Sequence, residues 1–427
     1  MNHNRKVLLA AGSNARGQLG TGSCDDAHTF TPCTFDSCTP NELPPFTSRV
    51  LQIACGANHT VLLLRHHDGA ASLWGSGDGS GGQLGASMKP DNPTHSSVFR
   101  ELTIPLHLTN AEYTYQLIAA AWETTYVVLS CPGKSDILIS MGGNDLGALG
   151  VGESDDASTR TANVPRVVGF DALFTHNSGS RIIRIHSLNA GPRHVVMQLS
   201  TVAPDGTTSP PILAGWGASR HGRLGQNVEG ARSIDRPTLI PIDISSDSMV
   251  SCALGNEHTV ILHKSGRVSA FGSNRKGQLQ MLGSQRSVQS IGCTWNGTYM
   301  LVNEGEKHVL LATGSNGKGQ LGHGDTTEPA PNVVEAVRFP PEHAPGITAL
   351  ACGSEHVLAI ASELLGEAEN PTVLGWGWNE HGNLGLGHLD DVTAPTRLWP
   401  QEGTELSYPQ RVVNIWAGCG TSWLVVE

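Results

Sequence analysis

The sequence predicts an all-β fold, a seven-bladed propeller, and three observations carry that expectation. A phrase of the form apolar strand, then Gly-x-Asn-x-x-Gly-Gln-Leu-Gly, recurs seven times along 427 residues. A second phrase, Ile-x-x-x-Cys-Gly-x-x-His-Thr-apolar, occupies the intervals between its copies. The first phrase opens at the N-terminus and the second closes at Glu427, so seven copies yield only six covalent hairpins.

In chain order the first phrase reads GSNARGQLG from Gly12 to Gly20, GDGSGGQLG from Gly77, GGNDLGALG from Gly142 and GASRHGRLG from Gly217. It returns as GSNRKGQLQ from Gly272, GSNGKGQLG from Gly314 and GWNEHGNLG from Gly377. The second phrase is clearest at Ile53–Leu64, Cys252–Leu262 and Ala351–Ile360, with degenerate copies at Ile118–Leu129, Leu188–Leu199, Ile291–Val302 and Ile415–Val426. Each His-Thr-apolar run reads as a strand that meets the next apolar run through a polar turn, as in His258–His263, Lys264-Ser265-Gly266 and Arg267–Phe271. A two-stranded hairpin cannot bury its faces alone, and radial repetition leaves only short, protected edges. The missing seventh pair must be Val7–Ala11 with Ser422–Glu427, a non-covalent closure. Residues 1–427 are therefore expected to be one propeller domain, with loop insertions near 21–49, 86–111, 153–181, 201–211 and 362–371.

Composition agrees with short strands and many turns. The chain has 51 Gly and 24 Pro, only 15% charged residues where soluble domains average about 25%, and 9 Trp against 8 Phe and 5 Tyr. A formal charge of −11 with no basic tail argues against nucleic-acid binding as the main activity. Arg5 and Lys6 precede a run, Val-Leu-Leu-Ala-Ala, that is too short for a signal peptide, and nothing approaches the ~20 apolar residues of a spanning helix. The 9 cysteines fall mostly inside apolar runs, as Cys55, Cys252, Cys293 and Cys352 do, which is the pattern of reduced core thiols. A soluble intracellular protein is the expectation.

The motifs of enzymes match only by string. Gly77-x-Gly79-x-x-Gly82 has dinucleotide spacing, but its glycines coincide with the repeat and Pro90 and Pro93 follow where a helix would be needed. Gly133-Lys134-Ser135 lacks the leading glycine of a phosphate loop, and no Gly-x-Ser-x-Gly or His-Glu-x-x-His occurs. Cys24, His28, Cys33 and Cys38 are zinc-competent residue types, but without a Cys-x-x-Cys knuckle they read as a plain loop. His59, His194, His258 and His356 share one repeat position and read as structural, since Thr124, Gly297 and Thr421 replace them elsewhere. No catalytic, cofactor-binding or metal-binding residue is expected.

What breaks the repeat is more informative. Two residues before the His position stand Ala57, Pro192, Asn256, Ser354 and Cys419, but also Trp122 and Trp295, in blades that lack the His. Large aromatics on turns are either partner anchors or mutual plugs, and Glu123 and Asn296 beside them set a polar surround. A second departure crowds Trp376, Trp378, Glu380 and His381 into one strand end and turn; alternation places Trp376 in the core and leaves the other three as contacts. With Glu355, the candidate partner-binding set is Trp122, Glu123, Trp295, Asn296, Glu355, Trp378, Glu380 and His381.

The paired phrases resemble the repeat of the regulator-of-chromosome-condensation family, whose members form seven-bladed propellers, and the resemblance spans essentially the whole chain. Within it, Ala121-Trp122-Glu123-Thr124-Thr125, Cys293-Thr294-Trp295, Gly353-Ser354-Glu355-His356, Gly375-Trp376-Gly377-Trp378 with Glu380-His381-Gly382-Asn383, and Gly418-Cys419 with Thr421 and Trp423 look like the fungal branch of alpha-tubulin suppressor, or killer-toxin-insensitivity, proteins. That resemblance implies a heterodimer with a small CSL-type zinc electron carrier of diphthamide synthesis and support for Elongator-dependent modification of wobble uridines in tRNA. It implies a cytoplasmic and also nuclear location. The rival within the family is a guanine-nucleotide exchange factor for a Ran-like GTPase; a light-sensing dimer would need Arg beside the turn tryptophans, where Glu123 and Asn296 stand.

Overall fold

The computed structural model describes residues 6–85, 94–104, 113–152, 164–174, 181–225, 231–305, 307–330, 333–341, 346–362, 371–400 and 410–427. No α-helix occurs among them; apart from short 3-10 turns the regular structure is β. In chain order the strands are β1 (Val7–Gly12) and β2 (Ala27–Pro32), then β3 (Thr47–Cys55), β4 (His59–His66), β5 (Ala71–Asp78) and β6 (His95–Glu101). β7 (Thr114–Ala120), β8 (Thr124–Ser130), β9 (Ile137–Gly142) and β10 (Arg166–Val167) follow, then β11 (Ile182–Ala190), β12 (His194–Val202), β13 (Ile212–Ala218) and β14 (Ser233–Leu239). The rest are β15 (Met249–Leu254), β16 (His258–His263), β17 (Val268–Gly272), β18 (Val288–Cys293), β19 (Gly297–Glu304), β20 (Lys307–Gly314), β21 (Glu335–Ala336), β22 (Ile347–Cys352), β23 (His356–Ala361), β24 (Thr372–Gly377), β25 (Val392–Trp399), β26 (Val412–Ala417) and β27 (Thr421–Val426).

These strands form seven antiparallel sheets, which makes the fold a seven-bladed β-propeller. By density of contacts the chain forms two compact units, residues 1–45 with 249–427 and residues 46–248. In the first lie the sheets β2-β1-β27-β26, β15-β16-β17, β18-β19-β20-β21 and β22-β23-β24-β25; in the second lie β3-β4-β5-β6, β10-β9-β8-β7 and β11-β12-β13-β14. The closure expected from the repeat phase is present. β1 pairs with β27 from Val7 opposite Val426 to Gly12 opposite Thr421, joining strands from the two ends of the chain in one sheet.

The hairpin read from the sequence is the middle of each blade and not the whole of it. β4, β16, β23 and β27, like β5 and β24, lie between two neighbouring strands and are buried along most of their length, so they carry mostly apolar and small residues. The outermost strands are less buried and more polar; β2 reads Ala-His-Thr-Phe-Thr-Pro with only Phe30 buried. For that reason two stretches taken as loop insertions contain strands: 21–49 carries β2 and the start of β3, and 86–111 carries β6. Within 153–181, β10 and a 3-10 turn at Asp171–Leu173 are described, and in 201–211 a bridge joins Val202 to Thr208. Residues 363–370, the body of the last expected insertion, lie outside the described residues.

Side chains from adjacent blades fill the space between them. In the second unit Tyr126, Val128, Leu138, Val195, Met197 and Trp216 form one such layer; in the first, Tyr299, Leu310, Val357, Leu374 and Trp376 form another. The repeat glycine that ends the third strand is fixed by a close approach. At Gly314, φ is +121° and a Cβ would stand 2.2 Å from the Asn296 carbonyl oxygen, so any other residue would be strained twice over.

Three of the repeated histidines, His59, His258 and His356, are interblade latches. His59 Nε2 lies 2.9 Å from Thr125 Oγ1, His258 Nε2 3.1 Å from Thr298 Oγ1, and His356 Nε2 3.0 Å from Ser422 Oγ, each reaching the hydroxyl that follows the equivalent position one blade on. The ring lies over its own turn glycine: a Cβ on Gly353 would meet His356 Cε1 at 2.2 Å, which explains the glycine of Cys-Gly-x-x-His. Burial pushes the His59 and His356 imidazoles down to about 4. A depressed folded-state value means the unfolded chain takes up the proton first, so this stability is whole above the ordinary value of about 6.5 and is lost as pH falls toward about 4. At pH 5 the loss is about 2 kcal/mol per histidine. Urea midpoints measured from pH 7 to pH 4.5 should therefore fall less steeply in His356→Gln than in the wild type; identical slopes would contradict the latch.

Candidate functional site

The turns between the first and second strands of the blades carry Trp122, Glu123, Trp295, Asn296 and Glu355, while Trp378, Glu380 and His381 lie on the turn after β24; the backbones of the first-to-second-strand turns are pinned independently of side-chain identity. In every blade the carbonyl just before the His position accepts an N–H from the end of the third strand, for example Gly143 N to Glu123 O at 2.8 Å, Ser315 N to Asn296 O at 3.0 Å and Trp378 N to Glu355 O at 2.9 Å. Turns also bond to one another. In the first unit Asn256 N donates to Trp295 O at 2.9 Å and Trp295 N to Ser354 O at 2.7 Å; in the second, Ala57 N donates to Trp122 O at 2.8 Å and Trp122 N to Pro192 O at 2.9 Å. The scaffold thus holds the backbone and leaves the turn side chains open to variation.

In the first unit the structure brings six of the eight candidates into one connected cluster. Trp295 is half-buried. Asn296 Nδ2 donates to Glu355 Oε1 at 2.9 Å, and Gln320 Nε2 donates to Glu355 Oε2 at 2.6 Å. Burial raises the Glu355 carboxyl above the usual range, and the two amides offset part of that cost. Trp378, whose N–H is held by the Glu355 carbonyl, meets His381 edge-on with ring centroids 5.3 Å apart, and His381 Nδ1 lies 2.7 Å from Asp26 Oδ2. Lys318 Nζ reaches Glu380 Oε1 at 2.6 Å and Asp391 Oδ2 at 3.3 Å. Lys318, with help from the Trp378 side chain, holds the Glu380 carboxyl below its ordinary value. The result is an aromatic and acidic surface with one lysine set into it.

Lys318, Gln320, Asp26 and Asp391 were not singled out from the sequence. Lys318 and Gln320 sit inside the repeat phrase, where regularity made them look purely structural, and Gln320 does play that part: its Oε1 accepts the Lys318 N–H at 2.7 Å. Asp26 was masked likewise, since its Oδ1 accepts the Asn14 N–H at 2.7 Å. Trp376 is core as alternation required, fully buried with Nε1 donating to Gln320 O at 2.8 Å.

The other two candidates lie in the second unit. Trp122 is 38% exposed, Glu123 is exposed, and the Arg193 guanidinium stands over the Trp122 ring at 6.0 Å from its centroid. Arg193 Nη1 also bonds Asp145 Oδ2 at 2.9 Å. A cleft of about 210 Å³ opens here.

Of the residues weighed for metal or nucleotide chemistry, Cys33 and Gly77 have other local roles. Cys33 is buried with its thiol directed at the Leu19 carbonyl at 3.4 Å, and burial pushes its pKa well up; Cys24 is exposed and Cys38 half-buried. Among the described residues no group of three or more His, Cys, Asp or Glu is placed to hold a metal ion. Gly77 packs against Asn58, where a Cβ would stand 2.3 Å from the carbonyl oxygen, and a tight turn follows it.

Seven blades built on two alternating phrases define a repeat-propeller protein. The chain belongs to the regulator of chromosome condensation (RCC1) repeat family: its repeat model matches residues 7–63, 215–262, 308–360 and 372–425, and a second RCC1 repeat model matches 250–278. Similar curated proteins include an RCC1 repeat-containing protein of Schizosaccharomyces pombe, 24% identical over 99% of each chain. The ultraviolet-B receptor of Arabidopsis thaliana is 27% identical over 91% of this chain and 77% of its own, and a secretion-regulating guanine nucleotide exchange factor of Mus musculus is 26% identical over 99% and 84%. Among solved structures, human WBSCR16 matches with TM-score 0.69 at 17% identity over 99% of both chains. Prp20p of Saccharomyces cerevisiae, described with its binding properties to Gsp1p and histones, matches with TM-score 0.69 at 16% identity over 100% of this chain and 92% of its own. These two likenesses establish the fold.

Proposed function

We propose that the protein is a non-enzymatic interaction scaffold that pairs with a small CSL-type zinc electron carrier, and through it supports diphthamide synthesis on elongation factor 2 and Elongator-dependent wobble-uridine modification. The observation that carries a binding role is the connected surface Trp295, Asn296, Glu355, Trp378, Glu380 and His381, where aromatic area and carboxylates are held by second contacts instead of being left to solvent. Tryptophans in such a setting are the usual anchors of protein interfaces, and charges beside them steer association. The choice of partner comes from the match of the degenerate turns to the fungal alpha-tubulin suppressor branch. Action in the cytoplasm, and also in the nucleus, belongs to the same reading. Trp122 and Glu123 are assigned to partner contact as well.

A second reading is exchange activity on a Ran-like small GTPase, favoured by the relatives named secretion-regulating guanine nucleotide exchange factors. One pair of assays separates the two. Calorimetric titration with the zinc protein should give a saturable one-to-one complex, while release of labelled nucleotide from Ran should stay at its intrinsic rate with catalytic amounts of the chain. Acceleration of release without binding of the zinc protein would replace the first reading by the second.

A further inference from the structure

Trp122 and Trp295 occupy the same repeat position, one in each unit, but the residues around them differ. Tyr299 Oη and Trp376 Nε1 both donate to the Gln320 carbonyl, at 2.6 and 2.8 Å; Tyr126 Oη and Trp216 Nε1 both donate to the Ala148 carbonyl, at 2.6 and 2.8 Å. Ala148 is therefore the counterpart of Gln320, and by the same repeat register Glu123 is that of Asn296 and Arg193 that of Glu355. Gln320 extends its amide to Glu355 and fills the space between the turns. Ala148 ends at Cβ, and the space beside it is the cleft of about 210 Å³, lined by Trp122, Glu123, Asp145, Ala148, Pro192 and Arg193 among others.

The size decides what class of occupant fits. Cofactor and metabolite sites run from roughly 300 to 1,000 Å³, so this cleft suits a single side chain. The chemistry decides which. The lining includes Trp122 and carries two carboxylates, Glu123 and Asp145, and one guanidinium, Arg193. Arg193 is bonded to Asp145 and stands over the indole, an arrangement in which this ring packs with a cation, and the two carboxylates against one guanidinium leave the lining with a net charge of −1. A carboxylate entering would add its charge to a lining that is already net negative.

We propose that this cleft receives one lysine or arginine side chain of a protein partner, with the aliphatic stem against Trp122 and Ala148 and the charged head toward Glu123 and Asp145. The proposal deepens the reading of the chain as a binding scaffold and does not depend on the partner being the zinc protein. The test follows the indole N–H signal of Trp122 in a TROSY spectrum of the full chain, identified by its loss in Trp122→Phe. The probes are Nα-acetyl-arginine amide, Nα-acetyl-norleucine amide and Nα-acetyl-glutamate amide at millimolar concentration. Arginine amide should shift the signal saturably, norleucine amide at least fivefold more weakly, and glutamate amide not at all. Ala148→Gln, which puts back the residue found in other blades, should abolish the shift while keeping the wild-type melting temperature, and the exposed change Glu123→Gln should weaken it severalfold. An unmoved signal with arginine amide, an equal response to norleucine or glutamate amide, or a shift that survives in both variants would overturn the proposal. Should the zinc protein fail to bind the wild type, the functional reading fails while the amide titration still decides the cleft.

Discussion

A chain ending at Thr421 is expected to show no cooperative unfolding transition. The lost residues supply nearly all of β27, which lies between β26 and β1 and within its sheet joins the N-terminal pair β1 and β2 to β26. Trp423, Leu424 and Val426 are fully buried and Val425 nearly so. Burying each such side chain stabilises by about 1.5–3 kcal/mol, and together they rival the whole net stability of about 5–15 kcal/mol typical of a domain. Ser422 Oγ is also the partner of the His356 latch, so the neighbouring blade loses a contact in the same cut. Circular dichroism melting of the two chains checks this. A truncated chain that melts cooperatively at the full-length temperature would show that the fold does not rely on this closure.

Trp376→Ala is expected to cost about 3–5 kcal/mol, the largest effect of any single substitution considered. Its indole is fully buried, meets Phe339 edge-on at 5.6 Å with the planes at 90°, and donates to the Gln320 carbonyl. Two residues on, Trp378 is only half-buried and packs on His381, so Trp378→Ala should leave the urea midpoint near that of the wild type. The pair makes a sharp contrast between two tryptophans in one Gly-Trp-Gly-Trp run. Equal losses from both would make Trp378 a core residue and remove it from the binding surface.

How much of this was legible in the sequence depended on where the repeat is strong. Most second and third strands, such as β4 and β24, are buried along most of their length and announced themselves as apolar runs, and the phase of the phrases pointed to a pairing of Val7–Ala11 with Ser422–Glu427, within one residue at each end of the observed Val7–Gly12 with Thr421–Val426. The outer strands were not legible. β6, His-Ser-Ser-Val-Phe-Arg-Glu, buries Phe99 and Ser96 only, and its composition is that of a loop. The candidate site was visible where a residue departed from the repeat, as at Trp122, Trp295 and Trp378, and invisible where a repeat residue took on a second contact, as Gln320 does toward Glu355. The Ala148 cleft shows the converse: a missing side chain leaves no motif, and its effect appears only once the Arg193 and Trp122 turns stand beside it.

The central claim is that the turn tryptophans anchor a protein partner, and its most direct test is the affinity of the CSL-type zinc protein for the wild type and for Trp295→Ala and Trp122→Ala, with melting temperatures recorded alongside. Truncating an anchor of an interface typically costs ~2 kcal/mol or more, which is beyond tenfold in affinity. Each variant should therefore bind at least tenfold more weakly while melting close to the wild type, and Glu123→Ala should act chiefly through the salt dependence of association. Normal binding by both tryptophan variants, or loss of folding in both, would contradict the account.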